Sequence, residues 1–291
     1  MLPFKARSSW PWRRRLACAA LTCGASAASA HDTWFEPLPA AVGEVRLALG
    51  TGNRFPRHEF AIGAEHLARQ GCAGASLPAR PMAPRGGTST ALLLQIAATS
   101  GALSCWAQLW PAEIELPPDK VRVYLDEINA PAAVRTAWAA MQARGLPWRE
   151  RYTKHARIEL PGATPAAARP SGMGMDMLLQ AAPAPLRPGD EIVVQVLRDG
   201  LPLPDFAVQL RSELSPLGLW QRTDVEGRLR VRPPLPGRWV LRGTELTPPA
   251  TDAGPWEGRF VTLAFEVVPS ASHPAANTPH PDTRGPALAM P

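Results

Sequence analysis

The chain has 291 residues, of which 34 are proline and 23 glycine; together these are about a fifth of the chain, where average usage is roughly 12%. That composition excludes a protein built mainly of long helices, while 45% hydrophobic content and ten tryptophans exclude wholesale disorder, because such a chain buries enough apolar area to offset its ordering entropy. The formal charge of +6 is concentrated at one end: Lys5, Arg7, Arg13, Arg14 and Arg15 lie in residues 1–30, which hold no acid, and the remainder carries 26 bases against 25 acids. No basic stripe interleaved with aromatics is left, so a nucleic-acid-binding role loses its electrostatic footprint.

Residues 1–30 have the form of an export signal, with a basic stretch ending Arg13-Arg14-Arg15, an apolar run from Leu16 to about Gly24 and small residues ending Ala28-Ser29-Ala30. The apolar run is too short to span a bilayer. Cleavage after Ala30 makes His31 the first residue of a soluble periplasmic protein; a second small-x-small site follows Ala27, and the consecutive arginines leave the export route open. A lipoprotein start at Cys23 is disfavoured by the poor lipobox Ala20-Leu21-Thr22. Export removes Cys18 and Cys23 and leaves Cys72 and Cys105, which in an oxidising compartment are expected to form one disulfide. The sharper alternative for that pair is a thiolate copper site.

From His31 onward short strands are expected in HDTWFEP, EVRLALG, ALLLQIA, LSCWAQLW and EIEL, each stopped by Gly, Pro or the turn Thr99-Ser100-Gly101. A short helix is expected over 63–70. Residues 117–146 change period: Val121, Tyr124, Leu125 and Ile128 fall at helical spacing. Asn129 is placed as the N-cap of a second helix, with Pro131 in its first turn, Val134, Trp138 and Met141 on one face, and Gly145 as its stop. RYTKHARIEL, 151–160, returns to strand, and 161–171 is assigned as a linker or loop.

Beyond it, PGDEIVVQVL, FAVQLRSE, GLWQRTD, RLRVRPP, PGRWVLRG and RFVTLAFEVV alternate with glycine turns in the manner of a compact sandwich. The expectation is a mainly β protein of Ig-like or transthyretin-like sandwich domains with a short helical insertion. An N-terminal β domain covers 31–160, a sandwich with Trp220 and Trp239 at least half buried covers 172–268, and a disordered tail covers 269–291.

The start HD-x-W-x-E-P after a signal segment, the central RYTKHARIEL and the C-terminal G-x-PL…TD-x-EGR…PGRW-x-LRG resemble the periplasmic family called domain of unknown function 4198, over about 31–268. Members are often labelled relatives of the periplasmic component of cobalt or nickel uptake systems. The resemblance implies a metal-handling accessory rather than an enzyme, with a membrane metal transporter as partner, and it carries over no catalytic residue.

The residues supply their own case for metal. An N-terminal histidine offers its α-amine and its imidazole Nδ1 to one ion, a chelate suited to Ni, Co or Cu. Asp32 adds a carboxylate, and a second histidine from elsewhere completes a brace, with His155 as first candidate and His58 as second. The plainer reading is that His31 merely begins an edge strand beside a cleavage site. Met173, Met175 and Met177 share one face of an extended segment and suit either Cu(I) or a packed core. His273 and His280 are expected to be solvated tail residues. G-x-S-x-G, H-E-x-x-H, P-loop, G-x-G-x-x-G and C-x-x-C are all absent, which leaves a copper monooxygenase on the His31 brace as the sole enzymatic alternative, and a metal-free envelope module binding a protein, peptide or glycan as the non-metal one.

Overall fold

A computed structural model describes residues 31–270 apart from 75–76, 98–100, 163–168 and 182–184. The signal segment 1–30, the turn at Thr99-Ser100, most of the 161–171 linker and nearly all of the tail with His273 and His280 lie outside the described residues. In chain order the strands of the first half are β1 (Asp32–Leu38), β2 (Glu44–Gly52), β3 (Phe60–Ala61), β4 (Leu67–Gly74), β5 (Ala83–Gly87), β6 (Ala91–Ala97), β7 (Leu103–Leu109) and β8 (Ala112–Leu116). Helices α1 (Pro118–Glu127) and α2 (Ala132–Ala143) follow, and then β9 (Trp148–Leu160). The second half contributes β10 (Met175–Ala181), β11 (Ile192–Arg198), β12 (Leu201–Pro202), β13 (Ala207–Ser212), β14 (Ser215–Arg222), β15 (Arg228–Val231), β16 (Gly237–Thr247) and β17 (Trp256–Val267).

The fold is mainly β and sandwich-like. A single eight-stranded sheet, ordered β14-β13-β16-β17-β9-β7-β4 with β8 also on β9, runs through the middle. Its seam is the parallel pairing of β17 with β9, from Trp256 opposite Glu150 to Ala264 opposite Ile158, so one sheet is built from chain on both sides of 161–171. Side chains alternate across this seam, and each face receives its own smaller sheet. Ala156, Ile158 and Ala264 face β1-β2-β6-β5 and join Phe35, Leu47, Leu49 and Leu94 in one core. Val261, Leu263 and Phe265 point the other way, toward β10-β11-β12 with β15, and join Met175, Val194, Val208, Leu241 and Trp239 in a second core. That second core draws only on residues after 171; Trp239 is buried, and Trp220 is partly buried beneath the Arg242 guanidinium.

A third cluster lies at the helical end. Val121, Tyr124 and Leu125 of α1 and Val134, Trp138 and Met141 of α2 pack on Trp148, Trp256 and Phe260, as the helical spacing predicts. Two local expectations change. Asn129 does not cap α2: with φ of 50° it closes α1, donating its N–H to Asp126, because Asn tolerates the left-handed region and Pro131 takes the cap position in extended conformation. Gly145, at φ of 72°, ends α2 as expected. Over 63–70 only one 3-10 turn forms, Ala64–His66, before the chain enters β4. Pairing wins there because Cys72 lies directly opposite Cys105 in the β4–β7 ladder, with Cα atoms 4.0 Å apart, and the two sulfurs are bonded. The thiolate copper alternative falls with that bond.

Candidate functional site

The three residues after His31 are anchored individually. Asp32, 6% exposed, accepts Arg242 Nη1 at 2.8 Å. Arg242 also donates to Gln209 Oε1 and to the Glu127 carbonyl at the end of α1, each at 2.8 Å. The Thr33 hydroxyl meets that of Thr51, and the Thr33 carbonyl accepts the Thr262 hydroxyl at 2.6 Å. Trp34 is buried beneath a strap formed by residues 53–59: its carbonyl accepts His58 Nε2 at 3.2 Å, and its ring lies 5.7 Å from that of Phe55. Gly52 admits the strap, because a Cβ there would collide with the Arg57 carbonyl and sit 2.9 Å from the Trp34 ring.

His31, partly buried, occupies the open end of this arrangement with its ring 4.8 Å from that of Phe60. Burial, and then the Lys154 ammonium, lowers its pKa below the usual imidazole value, while Glu59 and Asp32 pull the other way. Its ring is therefore neutral at neutral pH, the form that ligates metals. Lys154 lies against the Tyr152 and Phe260 rings, 5.6 and 6.0 Å from their centroids, and burial lowers its pKa to about 8 against the attraction of Asp32.

The other predicted ligands do not converge on His31. His155 is next to Lys154 on β9 and so faces the opposite side of the sheet. It is 2% exposed, its Nδ1 donates to the Phe260 carbonyl at 2.9 Å, and its Nε2 has no hydrogen-bond partner among the described residues. Burial lowers its pKa to about 4. His58 is likewise pushed down to about 4 by burial and is turned onto Trp34. Asp32 is brought to His31 but is committed to Arg242. Met173, Met175 and Met177 are 3%, 0% and 0% exposed, and the latter two lie in the second core, which is the gap-filling role rather than a Cu(I) face. Among the described residues no group of three or more His, Cys, Asp or Glu side chains is placed to hold a metal.

Three residues that spacing did not single out matter here: Glu59, Lys154 and Arg242. Their nearness to His31 follows from strand register and from the shared sheet, which no local pattern encodes. Two buried carboxyls lie elsewhere. Glu150 accepts the Tyr124 hydroxyl at 2.9 Å and Trp148 Nε1 at 3.1 Å, and burial raises its pKa to about 7. Glu159 accepts the Ser104 hydroxyl at 2.8 Å beside a cavity of about 380 Å³ that Leu77, Trp106 and Arg169 help to line, and burial raises it likewise to about 7.

Residues 28–244 match a family model described as a domain of unknown function, DUF4198. No curated protein matches the chain.

Proposed function

The chain belongs to the DUF4198 family, and from that premise we propose that it is an exported transition-metal-binding accessory that handles Ni, Co or Cu through His31. The observation that carries this reading is the anchoring of Asp32, Thr33 and Trp34, which holds His31 at a defined position at the open end of β1. Cleavage after Ala30 creates an α-amine on that same residue. Amine and imidazole Nδ1 then come from one residue held in place, so little ordering entropy opposes chelation. Such a site needs no cluster of side chains. The neutral imidazole offers a free ring lone pair, and an amine of ordinary pKa near 7.7–8.0 loses its proton to solvent readily when an ion binds. A membrane metal transporter is the partner this role calls for, and the periplasm is its compartment.

The test is calorimetric titration of Ni(II) and Cu(II) into four proteins: processed wild type with its first residue verified by intact mass, a form extended by one residue before His31, His31→Ala and His155→Ala. Affinity is expected to drop sharply in the second and third. His155→Ala should bind as wild type, because that ring lies on the opposite face of β9. Equal weak binding by the first three overturns the proposal.

The second reading, a metal-free envelope module that docks a protein, is favoured by β14. This edge strand of the large sheet leaves Leu217 and Leu219 79% and 59% exposed, and an apolar, unpaired edge is a ready pairing site.

A further inference from the structure

We infer that Glu59 supplies a carboxylate arm to the His31 chelate proposed above, with Asn53 as its positioning residue, so that the site takes a divalent ion, Ni(II), Co(II) or Cu(II), through two nitrogens and one oxygen. The strand register brings these residues together. The β1–β2 ladder ends at Asp32 opposite Gly52, and His31 and Asn53 are the next residues of the two chains at that end. Asn53 Nδ2 donates to Glu59 Oε2 at 3.0 Å, which turns the carboxylate toward the same strand end. The Glu59 backbone is fixed in turn, its N–H donating to the Thr51 carbonyl at 2.8 Å, and the ring of its neighbour Phe60 lies 4.8 Å from that of His31, tilted by 58°.

The donor chemistry separates Glu59 from its competitors. Asp32 is nearer in sequence, but Arg242 neutralises it at 2.8 Å within the core. Glu59 forms no ion pair among the described residues, and its hydrogen bond from the Asn53 amide is a neutral one, the kind of outer contact that orients a ligating carboxylate without cancelling its charge. His58, the neighbouring residue, points its Nε2 away onto the Trp34 carbonyl. A set of amine, imidazole and carboxylate suits borderline divalent ions, whereas Cu(I) prefers soft sulfur ligands.

The experiment uses the processed protein with His31 verified as first residue, titrated with NiCl2 by calorimetry, and compares wild type, Glu59→Gln, Glu59→Ala, Asn53→Ala, His31→Ala and the His31→Ala/Glu59→Gln double variant. Both Glu59 variants are expected to weaken Ni(II) binding by more than about tenfold and Asn53→Ala by about tenfold, the lower end of what is seen when a ligand's supporting contact is lost. The loss caused by Glu59→Gln should be smaller in the His31→Ala background than in wild type, because the two residues serve one ion. Circular dichroism reports whether each variant is folded, and the two Glu59 variants give independent readings should one of them fail to fold. Wild-type affinity in the Glu59 variants, with binding lost in His31→Ala, overturns the carboxylate arm and leaves the chelate intact. An equal Glu59→Gln loss in the wild-type and His31→Ala backgrounds also overturns it, since additivity assigns Glu59 to a separate ion. If His31→Ala binds as wild type, the chelate itself falls.

Discussion

At the scale of single residues, the chemistry of the N-terminal end depends on charges that the fold has taken out of water. Asp32 and Arg242 are 6% and 5% exposed, and removing one member of such a pair leaves the other as an uncompensated buried charge. Asp32→Ala is therefore expected to cost about 3–5 kcal/mol of stability, measured by urea denaturation; a loss below about 1 kcal/mol would show that the pair is solvated. The buried carboxyls act in the opposite sense. Glu150 and Glu159 have folded pKa values raised to about 7 by burial, above their unfolded values near 4.3. The folded state therefore binds more protons between those limits, and stability falls as pH rises through about 4.5 to 7. Glu150→Gln cannot ionise and removes one share of that slope, on the order of 3 kcal/mol between pH 5 and pH 8. Parallel pH profiles for wild type and Glu150→Gln would refute the burial of that charge.

At the scale of elements, the Cys72–Cys105 bond joins facing positions of β4 and β7 across a separation of 33 residues. Reduction, or the Cys72→Ala/Cys105→Ala pair, is expected to cost roughly 3 kcal/mol by freeing the unfolded chain, seen as a lower denaturation midpoint with β content retained. The same two strands show what a local reading captures. Strand-length apolar runs stopped by Gly or Pro mark β1, β2, β6, β7 and most strands of the second half, and helical spacing marks α1 and α2, because those signals are carried by neighbours in the chain. The segment 63–70 has helix-compatible residues, yet after one 3-10 turn at Ala64–His66 it enters β4 at Leu67, since the strand part of the segment is set by partners more than 30 residues away. The site divides in the same way. His31 and Asp32 stand out by chemistry and position, whereas Glu59 and Arg242 reach them through register and across sheets. His155 was drawn to the site by residue type alone, and alternation along β9 places it on the other face.

At the scale of the whole molecule, the two halves are joined by more than a linker. Strand β17 of the second half pairs with β9 of the first along nine positions, and the buried contacts Arg157–Asp176 and Arg242–Asp32 both cross between the halves. The Arg157 guanidinium and Asp176 carboxylate are 0% and 3% exposed at the side chain, and Asp176 Oδ2 also accepts the N–H and hydroxyl of Ser171. Each small sheet packs on one face of the shared sheet, so neither core can open without exposing strands that the other core uses. The protein is expected to unfold in one cooperative transition, with tryptophan fluorescence and far-ultraviolet ellipticity coincident and calorimetric and van't Hoff enthalpies equal. Asp176→Asn tests the coupling. It removes the carboxylate that Arg157 holds at 2.8 Å and leaves only Glu159, 3.7 Å away, so it should cost about 3 kcal/mol and shift the entire transition downward, including the signal of Trp148 and Trp256 at the helical end, which touch neither Arg157 nor Asp176. Two resolved transitions, or a shift confined to one probe, would mean that the halves fold as separate bodies despite their common sheet.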